Sequence, residues 1–241
     1  MSLAVGRDLH RGETRAGDVA VRVTGPAAID VDGTARDAAA DLQVLADRYG
    51  PYPWSEIDVV AVSLGPDAGG MEWPGAVWVD GLQDGPGGAA LTLDHELTHQ
   101  WWHALVGNDS IRAPVVDEPL AQYSMCLVSS ANEQGGCGLF GPSSGGTAVP
   151  QCADRPTTAF ASTSEYGALI YDRAPGFYFA LTGVAGPDAT ISALRGVVAR
   201  HAFGIITPAE LRDEIVAALP DQADTVRTLW DRYIGPPGCS S

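Results

Sequence analysis

The chain has 241 residues, of which 45% are hydrophobic and 18% are charged, a composition typical of a folded globular protein. Its 30 acidic residues outnumber its 14 basic residues, and the formal net charge is -16. This excess of negative charge disfavours binding to nucleic acid or to an anionic membrane surface, because both carry charge of the same sign. The sequence also has no apolar stretch of the roughly 18 residues that a membrane-spanning helix needs.

The front third of the chain is predicted to be β-rich. Residues 1–17 are polar and irregular and are expected to be a disordered or tag-derived lead-in. In 19–23 valines alternate with other residues, which predicts a half-buried strand. Helical spacing of apolar residues follows over 34–50, ending at a Gly-Pro pair, and two β-branched stretches, 57–64 and 76–80, predict further strands.

The rest of the chain is predicted to be mostly helical. The expected helices span 89–106, 118–130, 162–181, 189–201, 208–219 and 222–233. The glycine-rich segment 135–150 is expected to be a surface loop. Strands followed by helices indicate an α+β fold in which one domain, 18–235, has a β-rich lobe at 18–88, a helical lobe at 89–235 and a cleft between them.

Four cysteines are present, at positions 126, 137, 152 and 239, without the C-x-x-C spacing of a metal or redox motif. Cys137 and Cys152 flank the glycine-rich loop, so a disulfide between them would suit an exported protein. Free buried thiols are the alternative. We expect an exported or cell-surface protein whose signal segment is not in this chain, with a cytoplasmic protein as the alternative.

The most informative segment is His95-Glu96-Leu97-Thr98-His99, an H-E-x-x-H pattern inside a predicted helix. Two histidines four residues apart lie on one helix face, so both imidazoles can reach one zinc ion. Glu96 is offset to the side on which an activated water would lie. The alternative is an ordinary amphipathic helix that happens to carry two histidines.

A catalytic zinc site needs a third protein ligand and an open position. Glu118 follows His99 after eighteen residues, at the start of the next predicted helix. Taken alone, Glu118 would be read as an acid that interacts with the helix dipole, but its spacing from the motif favours a ligand. We therefore predict one Zn²⁺ per chain, bound by His95, His99 and Glu118. His103 is expected at the surface or beside the ligands, since a fourth ligand would close the open position.

These residues resemble the gluzincin zinc metallopeptidases of the aminopeptidase N and leukotriene hydrolase family. Residues 69–75 read G-G-M-E-W-P-G, which is similar to the G-x-M-E-N motif of that family, and 171–174 read Y-D-R-A, which resembles its Y-x-K/R-G element. Three positions depart from the family pattern: Trp73 replaces asparagine, and Ala174 and Pro119 replace glycines. The resemblance covers about 19–233 and implies a thermolysin-like catalytic domain.

The resemblance also implies a role for each residue. Glu96 would be the general base for a zinc-activated water, and the Tyr171 hydroxyl would stabilise the oxyanion. Tyr166 is a rival for that second role. Glu72, with Gly70 and Met71, would bind a peptide substrate through its free N-terminus, the alternative for Glu72 being a solvated loop acid.

The leading hypothesis is therefore a zinc-dependent aminopeptidase. Members of the family carry flanking domains that this chain is too short to contain, so the full-length protein is expected to have more domains. Two alternatives stay open: a catalytically weak or inactive peptide-binding relative, and a zinc endopeptidase of the same fold.

Overall fold

The computed structural model describes residues 6–65, 68–81, 88–131, 152–236 and 239. The predicted glycine-rich loop at 135–150 and Cys137 lie outside these residues. The described part combines a small β-sheet with a larger helical region, which confirms the predicted α+β class. Among the described residues, none of the helices is both long and apolar enough to cross a membrane.

The sheet has five strands in the spatial order β1-β2-β3-β5-β4. Strands β2, β3 and β5 run parallel to one another, whereas β1 and β4 pair antiparallel with their neighbours at the two edges. The strands are β1 (Leu9–Ala16), β2 (Val19–Pro26), β3 (Glu56–Ala61), β4 (Gly70–Met71) and β5 (Ala76–Val79).

Helix α1 (Val31–Tyr49) makes the crossover between the parallel strands β2 and β3 and packs on the sheet. Its buried residues recur at three and four positions, as in Ala38, Leu42 and Leu45, so one apolar face covers the sheet. The Asp30 side chain caps the first turn by accepting a hydrogen bond from the backbone of Gly33 at 2.9 Å.

The remaining elements form the helical region. They are α2 (Gly88–Thr98), α3 (Glu118–Ala131), α4 (Thr163–Tyr166), a π-helix (Gly167–Arg173), α5 (Gly176–Ala185), α6 (Pro187–His201), α7 (Pro208–Ala218) and α8 (Ala223–Tyr233). Two short strands, β6 (Val106–Gly107) and β7 (Gly204–Ile205), pair in parallel within this region. They connect two chain segments that are far apart in sequence. Helices α1, α2 and α3 pack against one another and connect the region to the sheet.

The predicted irregular lead-in at 1–17 is wrong from Leu9 onwards, because Leu9–Ala16 forms β1 and pairs with β2 over its full length. The strand lies at the sheet edge, and Gly12 is the buried residue among its eight. A side chain at Gly12 would collide with the backbone of Val31, so this glycine allows α1 to approach closely. Because this edge strand buries a glycine and no alternating apolar side chains, its sequence lacks the pattern that predicts a strand.

Two predicted helices differ from the expected ones: the first ends early and the second is broken into three elements. The helix predicted at 89–106 ends at Thr98, since the chain then turns tightly: the backbone N–H of Ala104 donates to the carbonyl of His99 at 2.9 Å, and His103 has a φ of 151°. The helix predicted at 162–181 is divided into α4, the π-helix and α5. Pro175 lies at the last of these breaks, where it cannot donate a backbone hydrogen bond.

The proposed pairing of Cys137 with Cys152 is wrong. Cys152 forms a disulfide with Cys239, 87 residues further along the chain. The backbone N–H of Ala153 donates to the carbonyl of Ile234 at 2.7 Å, which places the end of the chain beside Cys152. Cys126 is also disulfide-bonded, so the alternative of free buried thiols fails for these three cysteines.

Candidate metal centre and active site

The two motif histidines meet as the helical spacing predicts. His95 lies in the last turn of α2, and His99 follows just beyond its end, with its backbone N–H 3.4 Å from the carbonyl of His95. The opposite face of the helix is anchored by Leu93 and Leu97, which are buried in the core. The Nε2 atoms of the two imidazoles lie 3.1 Å apart.

Glu118 is the first residue of α3, which packs directly against α2. Its Oε2 atom lies 3.2 Å from Nε2 of His95 and 3.6 Å from Nε2 of His99. One ligand-type atom from each of the three residues falls within 4.8 Å of the other two. The structure therefore brings together the three residues that the sequence predicts as metal ligands.

The other ring nitrogen of each histidine faces an oxygen acceptor. Nδ1 of His95 lies 3.1 Å from Oε1 of Gln122, and Nδ1 of His99 lies 3.0 Å from the carbonyl oxygen of Trp102. A neutral imidazole that donates from Nδ1 presents a bare lone pair on Nε2. With a metal bound, both Nε2 lone pairs would be directed at the ion beside the Glu118 carboxylate, and the Nδ1 acceptors are the supporting partners that a metal-binding histidine takes.

The electrostatics also favour a cation at this point. Burial alone would lower the pKa of His99, but the Glu118 carboxylate, 3.6 Å from its Nε2, raises it overall to about 10. Burial would raise the pKa of Glu118, yet the hydrogen bond to His95 and the nearby imidazole of His99 lower it below the usual range. Two imidazoles and one carboxylate fit zinc, whose catalytic sites take three such ligands.

Glu96 lies beside the ligands and is buried, with 5% of the residue exposed. Burial raises the pKa of Glu96 to about 7, although the nearby histidines act in the opposite direction. Its Oε2 atom is buried and has no hydrogen-bond partner among the described residues. Gly70 packs against this carboxylate so closely that a Cβ atom there would collide with it. The side chain is thus confined between α2 and β4.

Tyr171 reaches the site from the π-helix. Burial, together with the Glu118 charge and the neighbouring Tyr166, raises the pKa of Tyr171 above its usual value. The ring lies 6.1 Å from that of His95 and 5.7 Å from that of Tyr166, measured between centroids. The side chains of Tyr166, at the end of α4, and of Tyr171, in the π-helix, therefore lie together, with Tyr171 at the cavity wall.

These side chains line a cavity of about 600 Å³. Gly70, Met71 and Glu72 form part of one wall, and Leu91 and Met125 add apolar surface. All of the residues predicted to bind metal, perform catalysis or bind substrate therefore border the same space. The predicted roles of Glu72, Gly70 and Met71 stay predictions, since the cavity shows their location and not their ligand.

His103 lies next to this group. Its Nδ1 atom is 3.2 Å from Oδ2 of the buried Asp117, whose other oxygen accepts the backbone N–H of Glu118 at 3.1 Å. His103 is thus connected to Glu118 through Asp117 and lies outside the group of three converging ligands. Trp101 and Trp102 are fully buried in the core.

Sequence reasoning missed two groups that orient the histidines, Gln122 and the carbonyl of Trp102. A signal for Gln122 was present, because it follows Glu118 by four residues and must lie on the same face of α3. The carbonyl of Trp102 had no such signal, since its direction depends on the tight turn after α2.

No family model and no curated protein matches the sequence. Among solved structures, the chain is similar to an M1 zinc metallopeptidase from Deinococcus radiodurans, with a TM-score of 0.72 and 20% identity over 94% of this chain and 52% of that chain. A mutant of that peptidase gives 0.71 and 19% over 97% of this chain and 54% of that chain. Native yeast LTA4 hydrolase gives 0.70 and 15% over 95% and 39%.

The chain thus spans about half the length of the Deinococcus structures. At these identities the likeness establishes a shared fold, and the chemistry has to be argued from the site itself.

Proposed function

We propose that this chain is the catalytic domain of a zinc-dependent aminopeptidase of the M1 gluzincin family. One observation carries the proposal: His95, His99 and Glu118 converge within 4.8 Å of one another, and Glu96, Tyr171 and Glu72 border the same cavity. The fold shared with M1 zinc metallopeptidases supports it. In this proposal the domain is thermolysin-like, with the cavity as the cleft between its β-rich and helical lobes.

His95, His99 and Glu118 would hold the zinc ion through two Nε2 atoms and one carboxylate oxygen. Zinc, when bound, supplies Lewis-acid chemistry, which makes water more acidic and polarises a carbonyl group. Gln122 and the Trp102 carbonyl keep the Nδ1 protons of the histidines in place, so the Nε2 lone pairs stay directed at the metal.

Glu96 would act as the general base. Its carboxylate takes a proton from the water that attacks the scissile carbonyl carbon, and then delivers that proton to the nitrogen of the leaving amine as the C–N bond breaks. The products are a free amino acid and a peptide one residue shorter. Tyr171 would donate its hydroxyl proton in a hydrogen bond to the oxygen on which negative charge develops.

Glu72 would bind the α-ammonium group of the substrate in a charge-assisted hydrogen bond. Related structures support a peptide substrate: M1 zinc metallopeptidase mutants are bound to L-arginine, to L-tryptophan and, in the Deinococcus enzyme, to a Tyr-Ser-Ala substrate. Anchoring the ammonium group restricts cleavage to the first peptide bond, which distinguishes an aminopeptidase from an endopeptidase.

We further propose that the protein works outside the cytoplasm. The disulfide between Cys152 and Cys239, together with the disulfide-bonded Cys126, supports this location, because disulfides persist mainly in oxidising compartments.

The test is hydrolysis of Tyr-Ser-Ala and of its N-acetylated counterpart by the zinc-loaded protein and by Glu72→Ala. The proposal predicts cleavage of the free tripeptide, little cleavage of the acetylated one, and loss of that preference in the variant. Equal cleavage of both peptides by the wild-type protein would indicate an endopeptidase. A zinc-loaded wild-type protein that cleaves neither would instead indicate an inactive peptide-binding relative.

A further inference from the structure

A tight turn follows Glu72 directly. The backbone N–H of Ala76 donates to the carbonyl of Trp73 at 3.0 Å, which closes a four-residue turn. Pro74 occupies its second position and Gly75, with a φ of 73°, its third. This is the residue pattern of a type II turn, in which the third position needs a positive φ. The turn fixes the backbone from which the Glu72 side chain projects.

The side chain of Gln100 makes two hydrogen bonds to the backbone of this turn. Its Nε2 donates to the carbonyl of Trp73 at 3.1 Å, and its Oε1 accepts the backbone N–H of Gly75 at 2.8 Å. The hydroxyl of Tyr52 makes a longer bond of 3.4 Å to the same Oε1 atom. Gln100 is fully buried, so water does not compete for these hydrogen bonds, and removing them would leave buried peptide groups without partners.

Gln100 also follows His99 directly in the chain. Its amide therefore links two parts of the cavity: the segment that carries a metal ligand and the turn that directly follows Glu72. An aminopeptidase needs a fixed distance between the group that binds the substrate's ammonium and the metal that acts on the scissile carbonyl, because one residue must span it. Small errors in such a distance are costly in rate.

We propose that Gln100 is the positioning residue that sets this distance, and so restricts cleavage to the bond after the first residue. The inference rests on the proposed function, since it concerns the same cavity and the same substrate. It adds a residue that touches neither metal nor peptide and acts through Glu72.

The test is Gln100→Met, which keeps the length of the side chain but removes both hydrogen bonds to the turn. For Tyr-Ser-Ala, kcat/KM should fall by about 10- to 100-fold, mainly through a higher KM, because a displaced Glu72 loses binding to the ammonium group. The preference for the free over the acetylated tripeptide should shrink towards that of Glu72→Ala. Zinc content should stay at the wild-type value.

Combining Gln100→Met with Glu72→Ala separates positioning from general damage. If Gln100 acts through Glu72, Gln100→Met should cost less than about threefold in the Glu72→Ala background, because coupled residues are not additive. An undiminished loss in that background would overturn the inference. Tyr52→Phe is the matched control, since it removes the long bond to Oε1 and a bond of 3.3 Å to the carbonyl of Glu56 but leaves both bonds from Gln100 to the turn. Its preference for the free tripeptide should match the wild type.

If Gln100→Met does not fold, a second variant, Gly75→Ala, tests the positioning role of the turn. Gly75→Ala strains the same turn from within, and its Cβ would meet no described atom within 4 Å. Gly186→Ala, at a φ of 89° with equal space and far along the chain at the end of α5, is its matched control. Gly75→Ala should reduce the preference for the free tripeptide, and Gly186→Ala should not.

The outcomes distinguish this inference from the function on which it rests. An active wild-type protein whose preference depends on Glu72 but survives both Gln100→Met and Gly75→Ala would overturn the positioning role alone. A zinc-loaded wild-type protein that hydrolyses neither tripeptide would overturn the proposed function and, with it, the role of Gln100.

Discussion

The two walls of the cavity are built in different ways. On the helical wall, His95 and His99 are placed by the period of α2, and Glu118 is placed by the packing of α3 on α2. On the turn wall, Gly70 lies in a two-residue strand and Glu72 lies between that strand and the turn after it. Contacts with α2 and with Gln100 hold this wall in place. Metal binding should therefore depend on the helical wall alone, whereas turnover should depend on both walls.

The largest effect is expected from Glu96→Gln on the helical wall. The amide cannot take a proton from water, so kcat for Tyr-Ser-Ala should fall by about 10²- to 10⁴-fold. The variant keeps all three ligands, and elemental analysis should find the wild-type zinc content. A variant that retains more than a tenth of the wild-type kcat would remove Glu96 from the role of base.

A smaller loss is expected from Tyr171→Phe, which removes the proposed oxyanion donor. Loss of one such donor costs about 10²- to 10³-fold in kcat, and KM should change little. Tyr166→Phe is the matched control, because its ring contacts that of Tyr171 at 5.7 Å and, of the two tyrosines, Tyr171 is the one that lines the cavity. If Tyr166→Phe proves the more damaging of the two in steady-state kinetics, the roles of the tyrosines are reversed.

On the turn wall, Gly70→Ala should reduce turnover without affecting zinc. The new methyl group would displace the Glu96 carboxylate, and a displacement of about 1 Å can cost roughly 10²-fold in rate. Gly69→Ala offers the control, since its methyl group would meet Thr92 at an ordinary distance of 3.4 Å. Similar kcat values for the two variants, or a loss of zinc from Gly70→Ala, would contradict the separation between the walls.

The smallest effect concerns zinc affinity. Gln122→Ala removes the acceptor that holds Nδ1 of His95, and losing such a supporting partner weakens metal binding by about 10- to 100-fold. Competition with a chelator measures the change in Kd. With saturating zinc the variant should recover most of its activity, and an unaltered Kd would show that Gln122 does not orient His95.

The sequence predicted the helical wall well because its geometry is local. Four residues separate His95 from His99, and that spacing determines a shared helix face in any fold. The position of Glu118 needed one assumption, that the next helix packs back on the first. The α+β class followed in the same way from strands that precede helices.

The failures concern features set by contacts between distant parts of the chain. Strand β1 has no apolar alternation, since its place at the sheet edge leaves Gly12 as its buried position. The partner of Cys152 is 87 residues away, and sequence spacing favoured the nearer Cys137. The division of the predicted 162–181 helix depends on Pro175 and on how the π-helix packs, and the contact of Gln100 with the turn after Glu72 has no signature in spacing.

The most direct measurement of the central claim is zinc stoichiometry by elemental analysis, on the purified protein and on Glu118→Ala, with folding of both verified by circular dichroism. The three-ligand site predicts about one zinc per wild-type chain, and weakened or lost zinc in the variant. A folded wild-type protein that takes up no zinc after reconstitution, or a variant that binds zinc as tightly as the wild type, would contradict it.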